Sequence, residues 1–409
     1  MSLHRIPRQP TRVNRARSIA RRVTSGGGAL VLLLLAACGD SSGPDGRGGA
    51  ATLSGTVRAA GSAEALADAT VSIGSSQATS AADGTFELAG VPVGQATVRA
   101  ERQGYLPAEE SVTLAAGANS HDFTLDPQEI YKSGTNAVYV PAGVGAMRGS
   151  IIVLTDLQAS GFVTGEPIVS GTGEPELESG LQALGASLRA LARSAHLALL
   201  GSRSTVDAPA SDAALFSTLG TAAAASGQSG MAEAPVLVFG IGGANPEASG
   251  LVARQPARAI GLLAWVPFGL KGLTTPEALS VPTFVMQHGD DDPSRNAASR
   301  TTFADNRHRG GLWALAVEPG IPLRTATGRG NAVRIGWLAN VLALRLASTP
   351  GDPLVALDEA SGWLGNPTSL EIAAWADYTG DRRAASWLLS QSAATSWKTL
   401  GSSSGGGGN

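Results

Sequence analysis

At 409 residues the chain is long enough for two or three domains, and its 43% apolar content is that of a globular protein able to bury a large core. The first 37 residues hold seven arginines and no acid, leaving 23 basic against 33 acidic side chains in the remainder, a formal charge of −10. A nucleic-acid partner would demand a basic face, so that class is set aside.

The arginines (Arg5, Arg8, Arg12, Arg15, Arg17, Arg21 and Arg22) precede an apolar run at 29–37, well short of the roughly 20 residues that a membrane-spanning helix needs. Residues 1–37 therefore read as a signal peptide, with Arg21-Arg22 leaving twin-arginine export as a minor option. Its end, Leu35-Ala36-Ala37-Cys38, resembles the lipobox of bacterial lipoproteins. That resemblance implies lipidation at Cys38, a membrane as partner, and a place in the bacterial cell envelope outside the cytoplasm; the alternative is a plain secretory signal with a chance cysteine. Cys38 is the single cysteine, so the folded part relies on its core rather than on disulfides. Residues 38–50, rich in Gly, Ser and Asp, read as a flexible tether.

From residue 51 the pattern becomes short strands at 52–57, 70–73, 85–88, 96–100, 111–114 and 121–125, separated by turn signals such as Ala82-Asp83-Gly84 and Gly104-Tyr105. This predicts an all-β sandwich of about seven strands. Leu53-Ser54-Gly55-Thr56-Val57, Ala69-Thr70-Val71, Ala82-Asp83-Gly84-Thr85-Phe86 and Gly104-Tyr105 together resemble the carboxypeptidase regulatory-like domain over residues 51–126. The resemblance implies a non-catalytic accessory module, a spacer or a binding unit. His121, the sole histidine there, reads as structural, and Asp83 as a turn residue.

Asp126-Pro127 ends the sandwich, and from residue 131 strands and helices alternate, predicting an α/β domain with a mainly parallel sheet over 131–347. Strands are expected at 136–140, 150–155 and 196–200, and a helix at 180–194 with Leu181, Leu184, Leu188 and Leu191 on one stripe. His196 reads as a strand-end residue away from any catalytic edge. After a helix at 211–226, Ser229 sits in a loop that precedes a strand, with Met231 where a nucleophile motif would need glycine. Residues 234–243 are the pivotal stretch: a short apolar strand running into Gly240-Ile241-Gly242-Gly243 and then a helix. A strand at 260–266 and a loop or small lid at 267–279 follow. The next strand ends in Gly289-Asp290-Asp291-Asp292. Three consecutive carboxylates diverge and lack the alternating ligand pattern of a calcium loop, so no metal is assigned. A helix at 300–309, a strand at 311–317 and a helix at 332–347 complete the domain. An extension at 348–400 carries Trp363, Trp375, Trp387 and Trp397, expected to pack on the domain, and 401–409 reads as a disordered Gly/Ser tail.

Residues 131–347 resemble the α/β-hydrolase family in element order, in the strand–turn–helix context of Gly240-Ile241-Gly242-Gly243, and in the Gly-x-x-Asp turn. The family's nucleophile elbow reads G-x-S-x-G, which implies that Gly242 occupies the nucleophile position and leaves it vacant. Asp292 matches the acid by position, although three adjacent aspartates also suit a solvated turn. The loop expected to carry the base, 318–323, holds no histidine; the position falls on Leu323, and neither Pro322 nor Arg324 on either side is a base. Oxyanion donors would lie at Gly243 and near Asp156 or Leu157. His308 precedes the last strand instead of following it. Three readings result: a lipid-anchored pseudohydrolase that binds a small molecule or a protein; an active esterase- or peptidase-class hydrolase using other residues such as Ser229 and His308; and a structural envelope protein. No cofactor is implied.

Overall fold

The computed structural model describes residues 50–60, 62–168, 174–323 and 325–403, all within one unit, Gly48–Asn409. The segments expected as signal peptide and tether, with Cys38, up to residue 49, together with Arg324 and the expected tail from 404, lie outside the described residues.

Eight strands build the N-terminal sandwich: β1 (Ala50–Ala59), β2 (Thr70–Ile73), β3 (Ser76–Thr79), β4 (Thr85–Pro92), β5 (Gly94–Glu101), β6 (Ala108–Leu114), β7 (Gly117–Ser120) and β8 (Phe123–Leu125). They form two sheets, β4-β1-β7 with β8 also on β1, and β3-β2-β5-β6. The expected number was about seven; β3 and β7 are short polar segments without apolar alternation. β8 is shorter than expected because Asp122 turns aside to accept hydrogen bonds from Thr56 N (2.7 Å) and Thr56 Oγ1 (2.9 Å). Leu53, Val57, Val71, Phe86, Leu88, Val98, Phe123 and Leu125 fill the space between the sheets. Asp83 accepts from Thr85 N and Oγ1 in its turn, and His121 pairs with Glu110 at 2.8 Å on the surface.

The α/β domain follows as β9 (Ile130–Ser133), β10 (Asn136–Tyr139), β11 (Gly149–Thr155), α1 (Ser160–Thr164), α2 (Pro175–Ala195), β12 (Leu197–Arg203), α3 (Asp212–Ser226), β13 (Val236–Ile241), α4 (Asn245–Arg254), β14 (Ala259–Trp265), α5 (Pro276–Leu279), β15 (Thr283–His288), α6 (Pro293–His308), β16 (Trp313–Glu318) and α7 (Gly328–Arg345). One sheet runs β16-β15-β14-β13-β11-β12-β10-β9. The strands from β11 to β16 pair in parallel, while β9 and β10 add an antiparallel hairpin at one edge. Near-continuous apolar strands suit a sheet covered on both faces. Ile151, Val153, Leu237, Phe239 and Leu263 meet α2 and α7 on one side; Ile152, Leu154, Val238, Leu262 and Val285 meet α3, α4 and α6 on the other.

Helix limits follow local chemistry. α2 starts earlier than expected because Pro175 occupies its first turn, and it ends where His196 adopts a left-handed cap (φ 56°), so His196 belongs to the helix terminus rather than to β12. α6 begins at Pro293, where Asp292 caps the first turn, and α7 begins at Gly328 because Thr327 accepts from Gly330 N.

The extension forms a small antiparallel sheet, β17 (Trp363–Gly365), β18 (Ile372–Ala374) and β19 (Ser386–Leu388), then α8 (Gln391–Ser402), which runs two residues into the expected tail. It covers the exposed edge of β16. Leu315 N donates to Ser386 Oγ (3.0 Å), and Leu315 O accepts from Trp397 Nε1 (2.7 Å), so backbone groups open to another chain are satisfied within this one. Trp387, Leu388, Trp397 and Leu400 join the core of the domain.

Arg307 fastens this cover. Its guanidinium is fully buried, donates to Ala385 O (2.7 Å) and Arg382 O (2.6 Å), and pairs with Glu359 at 3.0 Å. Arg307→Met should strand those acceptors and cost about 3 kcal/mol or more of stability, read as a lower urea midpoint. An unchanged midpoint would mean that the extension holds without it.

Candidate functional site

The strand order places one switch point in the sheet. β11 connects towards β12 on one side, whereas β13 connects towards β14 on the other, so the crevice beyond the carboxyl ends of β11 and β13 is left open by the topology. Asp156 follows β11 and Gly242 follows β13.

The β13 turn is built by backbone demands. Gly242 has φ +58°, and Gly242–Ala244 forms a single 3-10 turn before α4 begins. At Gly240 a Cβ would meet Asn245 Oδ1 at 2.6 Å and Ala248 Cβ at 2.7 Å, so α4 packs against bare backbone. Asn245, fully buried, donates from Nδ2 to Gly242 O (2.8 Å) and Trp265 O (3.1 Å), tying the turn to the end of β14.

Against this turn stands the Asp156 carboxylate. Gly243 N lies 3.4 Å from Asp156 Oδ2, and a Cβ on Gly242 would sit 3.0 Å from Asp156 Oδ1. A carboxylate thus stands directly beside the place a side chain on Gly242 would take, with the Gly243 N–H turned towards it. The other expected donor, Leu157 N, already binds Thr155 Oγ1 at 3.1 Å.

A cavity of about 360 Å³ opens beside the carboxylate. Leu157, Leu177, Leu181, Ile241, Trp265, Val266, Phe268 and Leu323 give it apolar walls; Asp156, His288, Arg295 and Thr325 supply the polar groups, with Gly242 and Gly243 at the turn. The positions inferred as nucleophile, base and oxyanion donors (Gly242, Leu323, Gly243 and Leu157) therefore converge on one chamber. Asp292 is elsewhere. It is the exposed cap of α6, accepting from Ser294 N (2.8 Å), Ser294 Oγ (2.5 Å) and Arg295 N (3.1 Å), hydrogen bonds that lower its pKa. Its neighbour Asp291 is the buried carboxylate, 3.3 Å from Arg295. Ser229 is exposed in the turn before β13, at the opposite end of that strand from Gly242, and His308 closes α6 with Nδ1 on Ala304 O at 2.8 Å. Among the described residues no histidine hydrogen-bonds a serine, threonine or cysteine side chain, and no three His, Cys, Asp or Glu side chains gather as a metal site.

The residue missed from sequence is His288, at the carboxyl end of β15. Its Nδ1 contacts Pro322 O at 3.0 Å and its Nε2 lies 3.1 Å from Trp265 Nε1, so the indole donates to Nε2 and the ring proton resides on Nδ1. Burial, helped by the positive charge of Arg334, pushes its pKa down to about 4. Arg334 itself is fully buried, its guanidinium 3.9 Å from the Trp265 ring centre and bonded to Asn331 Oδ1. The imidazole is thus neutral and has both nitrogens engaged, which leaves it no lone pair for accepting a proton from a substrate or nucleophile. The available signal in the sequence was its place as the last residue of a strand at the functional edge.

Residues 52–126 match the carboxypeptidase regulatory-like domain family. No curated protein matches the chain in sequence. Among solved structures, a cohesin–X-dockerin complex from Acetivibrio cellulolyticus is similar at 25% identity over 19% of this chain, with a TM-score of 0.17; this chain spans only 58% of it. The Bacillus anthracis TIE protein is covered over just 19% of its length, with 14% identity, 26% of this chain and a TM-score of 0.18. The esterase PE8 is similar at 14% identity over 49% of this chain and 96% of its own, with a TM-score of 0.34.

His288 gives the fold a pH dependence. An unfolded histidine titrates near pH 6.5 and the folded one at about 4, so between those values the unfolded chain binds a proton that the folded chain refuses. Stability should be full above pH 6.5 and fall as pH drops towards 4, by up to about 3 kcal/mol from this residue. Urea midpoints from pH 7 to 4.5 should decline less in His288→Asn than in the parent; equal slopes would contradict the assignment.

Proposed function

We propose that the α/β domain is a catalytically silent relative of the α/β-hydrolases whose cavity binds a small molecule without transforming it. The observation that carries this reading is the Asp156 carboxylate packed against Gly242 and Gly243. Acyl transfer needs a nucleophile whose proton a base can take, and donors aimed at a developing negative charge. Here the turn has no side chain, the base position is Leu323, and a negative charge stands beside the turn. The hydroxyl in the cavity wall, Thr325, has no free imidazole to activate it, since His288 is committed to Trp265 and Pro322. The chamber's size and mainly apolar walls suit ligand binding, and its size is within the usual range of small-molecule sites.

The regulatory-like sandwich then serves as the spacer between this receptor domain and an envelope membrane, with the chain held by a lipid on Cys38. The basic leader, the short apolar run and the Leu35-Ala36-Ala37-Cys38 sequence support that arrangement. Cys38→Ser should release the protein from the membrane fraction into the soluble one; retention in the membrane would exclude the lipid anchor.

A fluorophosphonate probe should leave the parent chain unlabelled, whereas Gly242→Ser combined with Leu323→His should begin to react, and more so when Asp156→Asn removes the opposing charge. Specific labelling of the unaltered chain would overturn the silent-site reading.

A further inference from the structure

We infer that the cavity selects a ligand with a basic nitrogen, an amine or ammonium head joined to an apolar body, and that Asp156 is the group that recognises the head. This rests on the binding reading above and adds the class of ligand to it.

The inference comes from which charges facing the cavity are already matched. Arg295 pairs with the buried Asp291 at 3.3 Å, and its guanidinium lies over the Phe268 ring, 5.6 Å from the centre. His288 is neutral, with its Nε2 occupied by the Trp265 indole. Arg203 donates from Nε to the backbone oxygen of Asp156 at 3.3 Å rather than to its side chain. The Asp156 carboxylate, by contrast, has Gly243 N as its contact at 3.4 Å, and no cationic side chain pairs with it among the described residues. A carboxylate at the mouth of an apolar chamber attracts a cation, repels an acid, and lets the body of the ligand bury itself against Leu177, Leu181 and Leu323. The same charge makes an ester hydrolysis product, a free carboxylate, a poor occupant.

The test uses three probes with one body: 3-phenylpropylamine, 3-phenylpropanol and 3-phenylpropanoate, titrated into the full folded chain by calorimetry. The amine should bind roughly two- to fivefold more tightly than the alcohol, a size set by a partly exposed charge pair, and the propanoate most weakly. Its advantage should shrink as salt is raised from 20 to 500 mM while the alcohol is unaffected. Asp156→Asn, on an exposed side chain, should abolish the difference between amine and alcohol. Arg324, between two lining residues in the chain and outside the described ones, is checked with Arg324→Gln: an amine preference present in the parent supports the inference, whereas one that emerges only in this variant overturns it. Equal binding of all three probes would also overturn it while leaving the apolar pocket intact. Binding of none would remove the pocket reading itself.

Discussion

The left-handed backbone at Gly242 is the constraint on which the site depends. It turns the chain sharply out of β13 so that α4 can start at once, and the turn is fixed from beneath by the buried Asn245 amide and from the side by the bare backbone of Gly240. In a nucleophile elbow such a turn exists to lift a side chain above the sheet. In this chain the turn carries no side chain, and the Asp156 carboxylate from the end of the neighbouring strand lies against it. The left-handed glycine turn and the Asp156 carboxylate together set a fixed charge at the rim of an apolar chamber.

Beneath the chamber, buried polar groups tie the walls together. His288 joins β15 to the loop after β16 through Pro322 O and to β14 through the Trp265 indole. Arg334 lies over the ring of that indole, and the fully buried Glu318 accepts from Thr327 at the start of α7. These hydrogen bonds favour one arrangement of the walls, because moving a wall would break the buried contacts of His288, Trp265 and Thr327. At the outer edge the tryptophan extension has a comparable role for the sheet, closing β16 with Ser386 and Trp397 where another chain could otherwise pair.

Much of this was legible in the sequence. Apolar runs and turn residues gave two domains and their classes, and the glycine turn, Leu157 and Leu323, singled out by position, all line one cavity. What escaped had physical causes. β3 and β7 are polar strands held by pairing rather than by burial, so alternation could not mark them. The Gly-x-x-Asp pattern pointed to Asp292, but a proline directly after it starts a helix, and an aspartate in that place is spent on capping backbone amides. His288 looked like part of an apolar strand because periodicity identifies strands, not the sheet edge at which they end. Asp156 could be read only as a backbone position; that its carboxylate faces Gly242 depends on β11 and β13 being neighbours, which no local pattern encodes.

Whether this chamber holds a ligand without reacting with it is decided by steady-state hydrolysis of an uncharged aryl acetate by the purified chain, followed against substrate concentration at pH 7.5. A silent site gives a rate no greater than that of buffer containing an equal concentration of unrelated protein, with no saturation. Saturable turnover that co-purifies with the chain and falls on replacement of Thr325 or His288 would contradict it.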